Sequence, residues 1–498
     1  MRRVATVIAV VLLLEGCISP AGIVPAAIET DPALLAASRT LADAKLAPGV
    51  WPGTEWWATL GDPPLDTLIR EALGTSPSLG LARARIAAAE AAVVAAGGPL
   101  GLGVSLTGSA SRQRLSEHGL VPAGYGGRLI TQSQLSMEFA WEFDFWDRNR
   151  SALEAEIGRL NAAATDQAAA VLALSTRIAQ VYLGLAAIVA RRATAEGLLV
   201  RREAMTRLAR ERVASGLDAQ IGQREAESAA AAARGAVAAL EAEAAAARHQ
   251  LAALAGKGPD HTLGLVPGRM STVADDALPS LLPADLVGRR PDVAALRQRI
   301  EASGRDIESA RAAYYPNLNL AAYVGLQSIG LARLLDAGST VFGVGPALRL
   351  PLFGSARLTS ALVARNAERD ALVEAYNARV VDALREIVDL VAFGDALRLQ
   401  QVEAERAVSS GAEVLVLLRA REQAGLTGRL PVLEAESRQL EREQQLSDLR
   451  SERLVLRVAL ARALGGGFDP AGGDGNTTET GNAAAVKSGA VPVKGQTR

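Results

Sequence analysis

The side chains best suited to covalent, acid–base or metal chemistry are few and scattered. His118, His249 and His261 are the only imidazoles and Cys17 is the only thiol. None of the histidines sits in an HExxH pattern, and no GxSxG, GxGxxG or phosphate-binding loop occurs anywhere in the chain. A single cysteine excludes an internal disulfide and a cysteine-based metal cluster. The expectation is therefore a protein that is not an enzyme, with no cofactor and no metal site. Lys and Arg together number 53 against 54 for Asp and Glu, so no basic excess points to nucleic acid.

Cys17 is informative because of what precedes it. Met1-Arg2-Arg3 forms a basic start, Val4 to Leu14 an apolar run, and Glu15-Gly16 a break. That is a secretory signal over residues 1–16, too short to span a membrane. A cysteine directly after the break resembles a bacterial lipobox, in which cleavage after Gly16 leaves Cys17 as a lipid-modified N-terminus. Ile18 in the next position points, in that sorting scheme, to the outer membrane. An ordinary signal peptide that happens to contain a cysteine is the alternative.

With so little reactive chemistry, the elements themselves carry the reading. From Leu135 to Phe145 the apolar residues Leu135, Met137, Phe139, Trp141, Phe143 and Phe145 alternate with Ser136, Glu138, Ala140, Glu142 and Asp144. Alternation of this kind predicts a strand with one apolar and one polar face. A soluble sandwich strand could alternate likewise, but the aromatic end at Trp141, Phe145 and Trp146 fits a lipid-facing barrel strand anchored at the interface. An Ala-rich helical pattern follows from Arg148 to Ala214, about 100 Å at 1.5 Å per residue. No globular core needs such a helix.

The pattern then recurs. Arg212-Val213-Ala214-Ser215-Gly216 is matched 209 positions later by Arg421-Glu422-Gln423-Ala424-Gly425, and Ala226-Glu227-Ser228 by Ala435-Glu436-Ser437 at the same spacing. The expected organisation is a signal (1–16), an N-terminal strap (17–60), a first repeat (61–265), a second repeat (266–464) and a disordered tail (465–498). In the first repeat strands are placed at about 102–115 and 128–145 and helices at about 66–96, 146–214 and 218–255. In the second, strands fall at about 317–328 and 340–352 and helices at about 284–314, 358–423 and 430–464. Four amphipathic strands cannot close a barrel in lipid, where unpaired backbone groups find no water, so the chain must oligomerise. Two copies would give about eight strands and a filled lumen, three about twelve and a conduit.

Several stretches resemble a known family. Leu281-Leu282, Arg289-Arg290-Pro291-Asp292-Val293, the run from Ala310 to Pro316, and Leu350-Pro351-Leu352-Phe353-Gly354 resemble the outer-membrane efflux channel lipoproteins of the TolC superfamily, of the OprM/NodT type. Trp141 to Trp146 resembles their strand-to-helix motif, with Trp146-Asp147 where a Phe-Gly pair is common. The resemblance runs from about Trp56 to Gly465. It implies a mixed α/β membrane fold: a homotrimer with a twelve-stranded transmembrane β-barrel in the bacterial outer membrane, continued by a coiled-coil α-helical barrel in the periplasm. It implies outer-membrane lipid, a periplasmic membrane-fusion adaptor and an inner-membrane pump of the resistance-nodulation-division class as partners, with the channel a passive conduit. A channel for exported proteins or metal ions is the near alternative, and a lipid-anchored periplasmic coiled-coil structural protein the distant one.

On that resemblance the tips Arg212, Gly216, Arg421 and Gly425 are the adaptor-docking end, although Arg and Gly at a helix end are also ordinary capping chemistry. Leu415, Leu418 and Arg419 are the candidate periplasmic constriction, with a coiled-coil seam as the alternative. Arg289, Arg290, Pro291 and Asp292 are expected to cap and orient the helix that begins at Pro291. Trp141, Phe145 and Trp146 are expected interfacial anchors.

Overall fold

The computed structural model describes residues 19–35, 46–47, 51–118, 124–268, 278–279, 288–351 and 355–469. Cys17 and the signal lie outside the described residues, as do residues 470–498 of the expected tail. The helices are α1 (Pro63–Thr75), α2 (Pro77–Gly97), α3 (Arg148–Ala214), α4 (Gln220–Leu254), α5 (Pro291–Ala312), α6 (Ser355–Gln423) and α7 (Arg429–Ala463). The strands are β1 (Gly103–Arg114), β2 (Leu129–Phe143), β3 (Asn317–Ile329) and β4 (Thr340–Arg349). Leu46–Ala47 makes a two-residue parallel pairing with Leu278–Pro279.

The single helix expected at 66–96 is two. Asp62 caps α1 by accepting from the Leu65 N–H, and the helix stops at Ser76, which takes extended geometry because Pro77 disfavours helix in the residue before it. The next strand–helix junction also differs from the expected one. The β2 ladder ends at Phe143, two residues before the alternation does. Asp144 then leaves the strand pattern to accept from the backbone N–H groups of Asn149 (3.1 Å) and Arg150 (2.8 Å), satisfying the free donors of α3. Asp147 turns the corner with a φ of 53°. The helix expected from 358 begins at Ser355.

The four long strands form one antiparallel sheet in the order β1-β2-β3-β4. Register aligns Val104, Phe139, Ala322 and Val344 across it, and Leu106, Met137, Val324 and Phe342 in the next row. One face is thus apolar, while Ser105, Glu138 and Tyr323, aligned with Gly343, lie on the other. Below the sheet α3 is flanked by α2 and α5, and farther down by α4 and α7, with α6 outermost on the α5 and α7 side. Small residues permit the close approach of α3 and α5: a β-carbon on Gly158 would lie 2.9 Å from the Ala302 side chain. The arrangement is a wall of helices continuing a sheet.

Midway along the wall the chain thickens. Trp56, Trp57, Leu60, Leu65 and Ile69 pack on Ile178, Tyr182 and Leu185 of α3 and on Leu251 and Val458, forming the largest core. Each such side chain contributes about 1.5–3 kcal/mol on burial. The buried Tyr182 hydroxyl donates to Asp62 (2.9 Å), whose other oxygen accepts from the Gly268 N–H (3.1 Å). Residues 19–35 are laid along α6, with the Ala26 and Ala27 N–H groups on Asp370 and the Thr30 N–H on Asn377.

Candidate functional site: sheet face and hairpin tips

At the foot of the sheet the three expected anchors are exposed and lie in two aromatic stacks. Trp141 and Phe143 have ring centroids 4.3 Å apart, and Phe143 stacks on Phe145 at 5.7 Å. Trp146 stacks on Tyr315 at 4.5 Å and donates its indole N–H to the Pro316 carbonyl at 2.9 Å. An apolar ring with a satisfied polar tip suits a headgroup boundary. Tyr315 joins this aromatic cluster, and sequence reading missed it because the stacking joins residues 146 and 315.

The Arg289-Arg290-Pro291-Asp292 motif, expected to cap and orient α5, ties that helix to its neighbours. Arg290 occupies the N-cap position of α5 but its side chain makes no capping bond; the Asp292 side chain accepts from a backbone group there, the Val293 N–H. The Arg290 side chain is 3% exposed and binds three elements. Its guanidinium donates to both oxygens of Asp292 (3.0 and 3.2 Å), to Glu386 of α6 (2.9 Å) and to the Ala463 carbonyl at the end of α7 (3.1 Å). Arg379 of α6 also binds Asp292, and Arg462 binds Glu386. Burial pushes the Asp292 carboxyl up, but the Arg290 and Arg379 guanidiniums outweigh it and hold its pKa below the usual value. Arg289 lies over the Trp51 ring at 4.9 Å. The motif is a clamp on α5, α6 and α7. Gly465, where the expected tail begins, packs against it: a β-carbon there would collide with the Arg289 carbonyl.

The two hairpin tips are built alike. Gly216 and Gly425 have φ of 70° and 71°. Leu217 N–H reaches back to the Arg212 carbonyl and Leu426 N–H to the Arg421 carbonyl, each at 2.8 Å, closing the same left-handed helix end twice. Arg212 pairs with Asp218 at 3.2 Å. The leucine that follows each glycine is outside: Leu217 is 70% and Leu426 69% exposed, with Ile221 and Leu430 exposed nearby. These apolar tip residues were not among the expected ones, although the 209-residue spacing of 217 and 426 marks them.

Above the second tip Arg419 donates to Glu436 at 2.8 Å, so it does not stand as a lone cation. Its counterpart one repeat earlier is Arg210 on Glu227 at 3.0 Å. Glu436 also lies 3.4 Å from Arg201 of α3 and 3.9 Å from Arg429. Burial raises the Glu436 carboxyl, yet the three arginines keep it below its ordinary pKa. Glu227 is held down to about 2 by hydrogen bonds from Gln223 and Arg210. Leu415 and Leu418 are half-buried on the hairpin, and the apolar side chains left exposed beside them are Val414, Val416 and Leu417. No group of three or more potential metal-ligating side chains occurs among the described residues.

Comparison with known proteins fits this geometry. The family model described as outer membrane efflux protein matches residues 68–257 and 282–466, one segment per repeat. The chain is 33% identical over 445 residues to the multidrug resistance outer membrane protein MdtP of Escherichia coli, covering 86% of this chain and 89% of that protein. Among solved structures it is similar to the outer membrane protein VceC of Vibrio cholerae, with 34% identity, a TM-score of 0.76, and coverage of 84% of this chain and 100% of that one. It is also similar to the outer-membrane channel OprN, with 25% identity, a TM-score of 0.78, and coverage of 91% and 99%.

Proposed function

The chain belongs to the outer membrane efflux protein family, and from that premise we propose that three copies form a passive conduit through the outer membrane for solutes delivered by an inner-membrane pump through a periplasmic adaptor. The observation that carries this reading is the sheet: four strands, one apolar face, an aromatic girdle at its foot, and a wall of helices about 100 Å long beneath it. Such a sheet is unstable alone in lipid, because β1 and β4 each have one strand neighbour among the described residues. Three copies supply about twelve strands and leave an open lumen, whereas two would fill it with side chains. The likeness to MdtP supports drug-like solutes as cargo, and the family resemblance supports a pump of the resistance-nodulation-division class.

Conductance tests the conduit. Purified protein in a planar lipid bilayer should give discrete channel events and should migrate as a heat-modifiable trimer. A monomer without events and without strand signal in circular dichroism would leave a periplasmic structural protein as the reading.

We also propose that Cys17 carries a lipid anchor in the same membrane. The strap runs parallel to α6, with Ile23 packed on the Tyr314, Leu358 and Leu362 cluster and Thr30 farther down at Asn377. Its earliest described residue, Ser19, is therefore directed toward the sheet end, and Cys17 precedes it by two residues. Cys17→Ala should abolish incorporation of labelled fatty acid while most of the protein stays in the outer-membrane fraction, because the barrel holds itself there. Release of the variant into the soluble periplasm would contradict the barrel's sufficiency.

A further inference from the structure

Resting on the oligomeric reading, we infer the register in which copies join: β4 of one copy pairs antiparallel with β1 of the next, setting Leu348 opposite Val104, Pro346 opposite Leu106, Val344 opposite Gly108, Phe342 opposite Ala110 and Thr340 opposite Arg112. The internal repeat supplies the register. The strand-to-helix junctions match in sequence at a spacing of 207, Phe145-Trp146 with Leu352-Phe353, so Phe139 corresponds to Pro346. Their hairpin partners are Val104 and Leu320, which therefore correspond to each other. Inside the chain the seam between the repeats sets Trp141 opposite Leu320. Carried forward by one repeat, Trp141 becomes Leu348, and Leu320 becomes Val104 of the neighbouring copy.

Backbone polarity agrees independently. Leu115 N–H bonds the Arg128 carbonyl at 3.0 Å, continuing the β1–β2 ladder, so odd-numbered β1 residues bond inward and even-numbered ones face the free edge. Gly330 N–H bonds the Thr131 carbonyl at 2.7 Å, so even-numbered β3 residues bond β2 and odd-numbered ones bond β4. The even-numbered residues of β4 are then the ones turned to its free edge. In the inferred register edge-facing groups meet edge-facing groups, and both apolar faces fall on one side. A one-residue slip would break both matches.

The side chains fit as well. Phe342 meets Ala110 and Val344 meets Gly108, large against small along the row. Pro346 is turned to the edge, where a missing N–H is tolerated in an unpaired strand. It discourages indiscriminate pairing of the free edge and leaves this seam one hydrogen bond short of the seam within the chain.

Directly opposed residues in such positions have Cα atoms about 5.5 Å apart, within disulfide reach. Full-length protein in outer-membrane vesicles carrying Val344→Cys with Gly108→Cys would be oxidised and run without reductant, beside the two-residue slips Val344→Cys with Leu106→Cys and Val344→Cys with Ala110→Cys, and each single-cysteine control. Covalent dimers and trimers from the first pair, at least tenfold above either slip, are expected. Stronger cross-linking in a slipped pair, or trimers by native mass that cross-link in none of the three, overturns the register alone. Monomers in every case would overturn the oligomeric reading beneath it.

Discussion

Replacing Arg290 by alanine will cost about 2–3 kcal/mol of stability, because it strips a buried cation from two half-buried carboxylates without removing the carboxylates themselves. Asp292 would lose two charge-assisted bonds and Glu386 one, and the Ala463 carbonyl, one of the acceptors at the end of α7 without a helical partner, would lose its donor. Arg379 and Arg462 remain beside the two carboxylates and soften the loss without reaching the carbonyl. Lysine at 290 should recover only part of it, since an ammonium cannot serve Asp292 through two parallel bonds and Glu386 at once. The readout is the urea midpoint of the helical signal, with trimer abundance in the outer membrane as its cellular counterpart. The same clamp carries a pH signature. Folding lowers the Asp292 pKa, so its contribution is complete above the unfolded value, about 4, and disappears as acid takes it through the depressed folded value. The alanine variant should therefore lose less stability than the wild type on going from pH 5 to pH 2. Equal urea midpoints at pH 7 would show that the clamp contributes nothing.

What the sequence makes legible here is whatever repeats or alternates locally. The strand from Leu135 and the helix to Ala214 follow from period and composition, and the spacing of 209 between Gly216 and Gly425 finds two tips that prove to have the same backbone. The places where local pattern misleads are those where another force wins. Alternation continues to Phe145, but the need to cap α3 recruits Asp144 and ends the ladder at Phe143. A helical pattern crosses Ser76, but Pro77 breaks it. Long-range partners leave no local trace at all: Arg290 meets Glu386 and Ala463, the strap meets Asp370 and Asn377, and Trp146 meets Tyr315. Arg419 illustrates the same point within the candidate constriction. Read along the chain it is a cation in an apolar stretch, while in space it is paired with Glu436, which it shares with Arg201 and Arg429.

Changing Leu217 and Leu426 together to glutamate will abolish efflux while leaving the channel itself intact. Both leucines follow a left-handed glycine, where the next apolar side chain usually folds back on the helix to complete the turn. Here both point outward, as do Ile221 and Leu430, so the two tips present apolar patches rimmed by Arg212, Asp218 and Arg421. An exposed apolar patch with a polar rim marks a surface for a protein partner, and in this protein the free helical end faces away from the membrane sheet toward the proposed adaptor. Burying a leucine side chain contributes about 1.5–3 kcal/mol, so losing two, and burying two carboxylates in their place, should weaken docking by about 1,000-fold. Exposed positions contribute little to folding, about 0.5 kcal/mol or less, so the urea midpoint, trimer and bilayer conductance of the variant should match the wild type. Cells carrying it should be as drug-sensitive as cells without the channel. Arg212→Ala is the contrast: it removes only an exposed ion pair and should reduce efflux slightly at most. Normal drug tolerance in the double variant would move the docking surface off the tips and onto the helical wall, whereas lost conductance would mean that the same leucines also hold the mouth of the pore in shape.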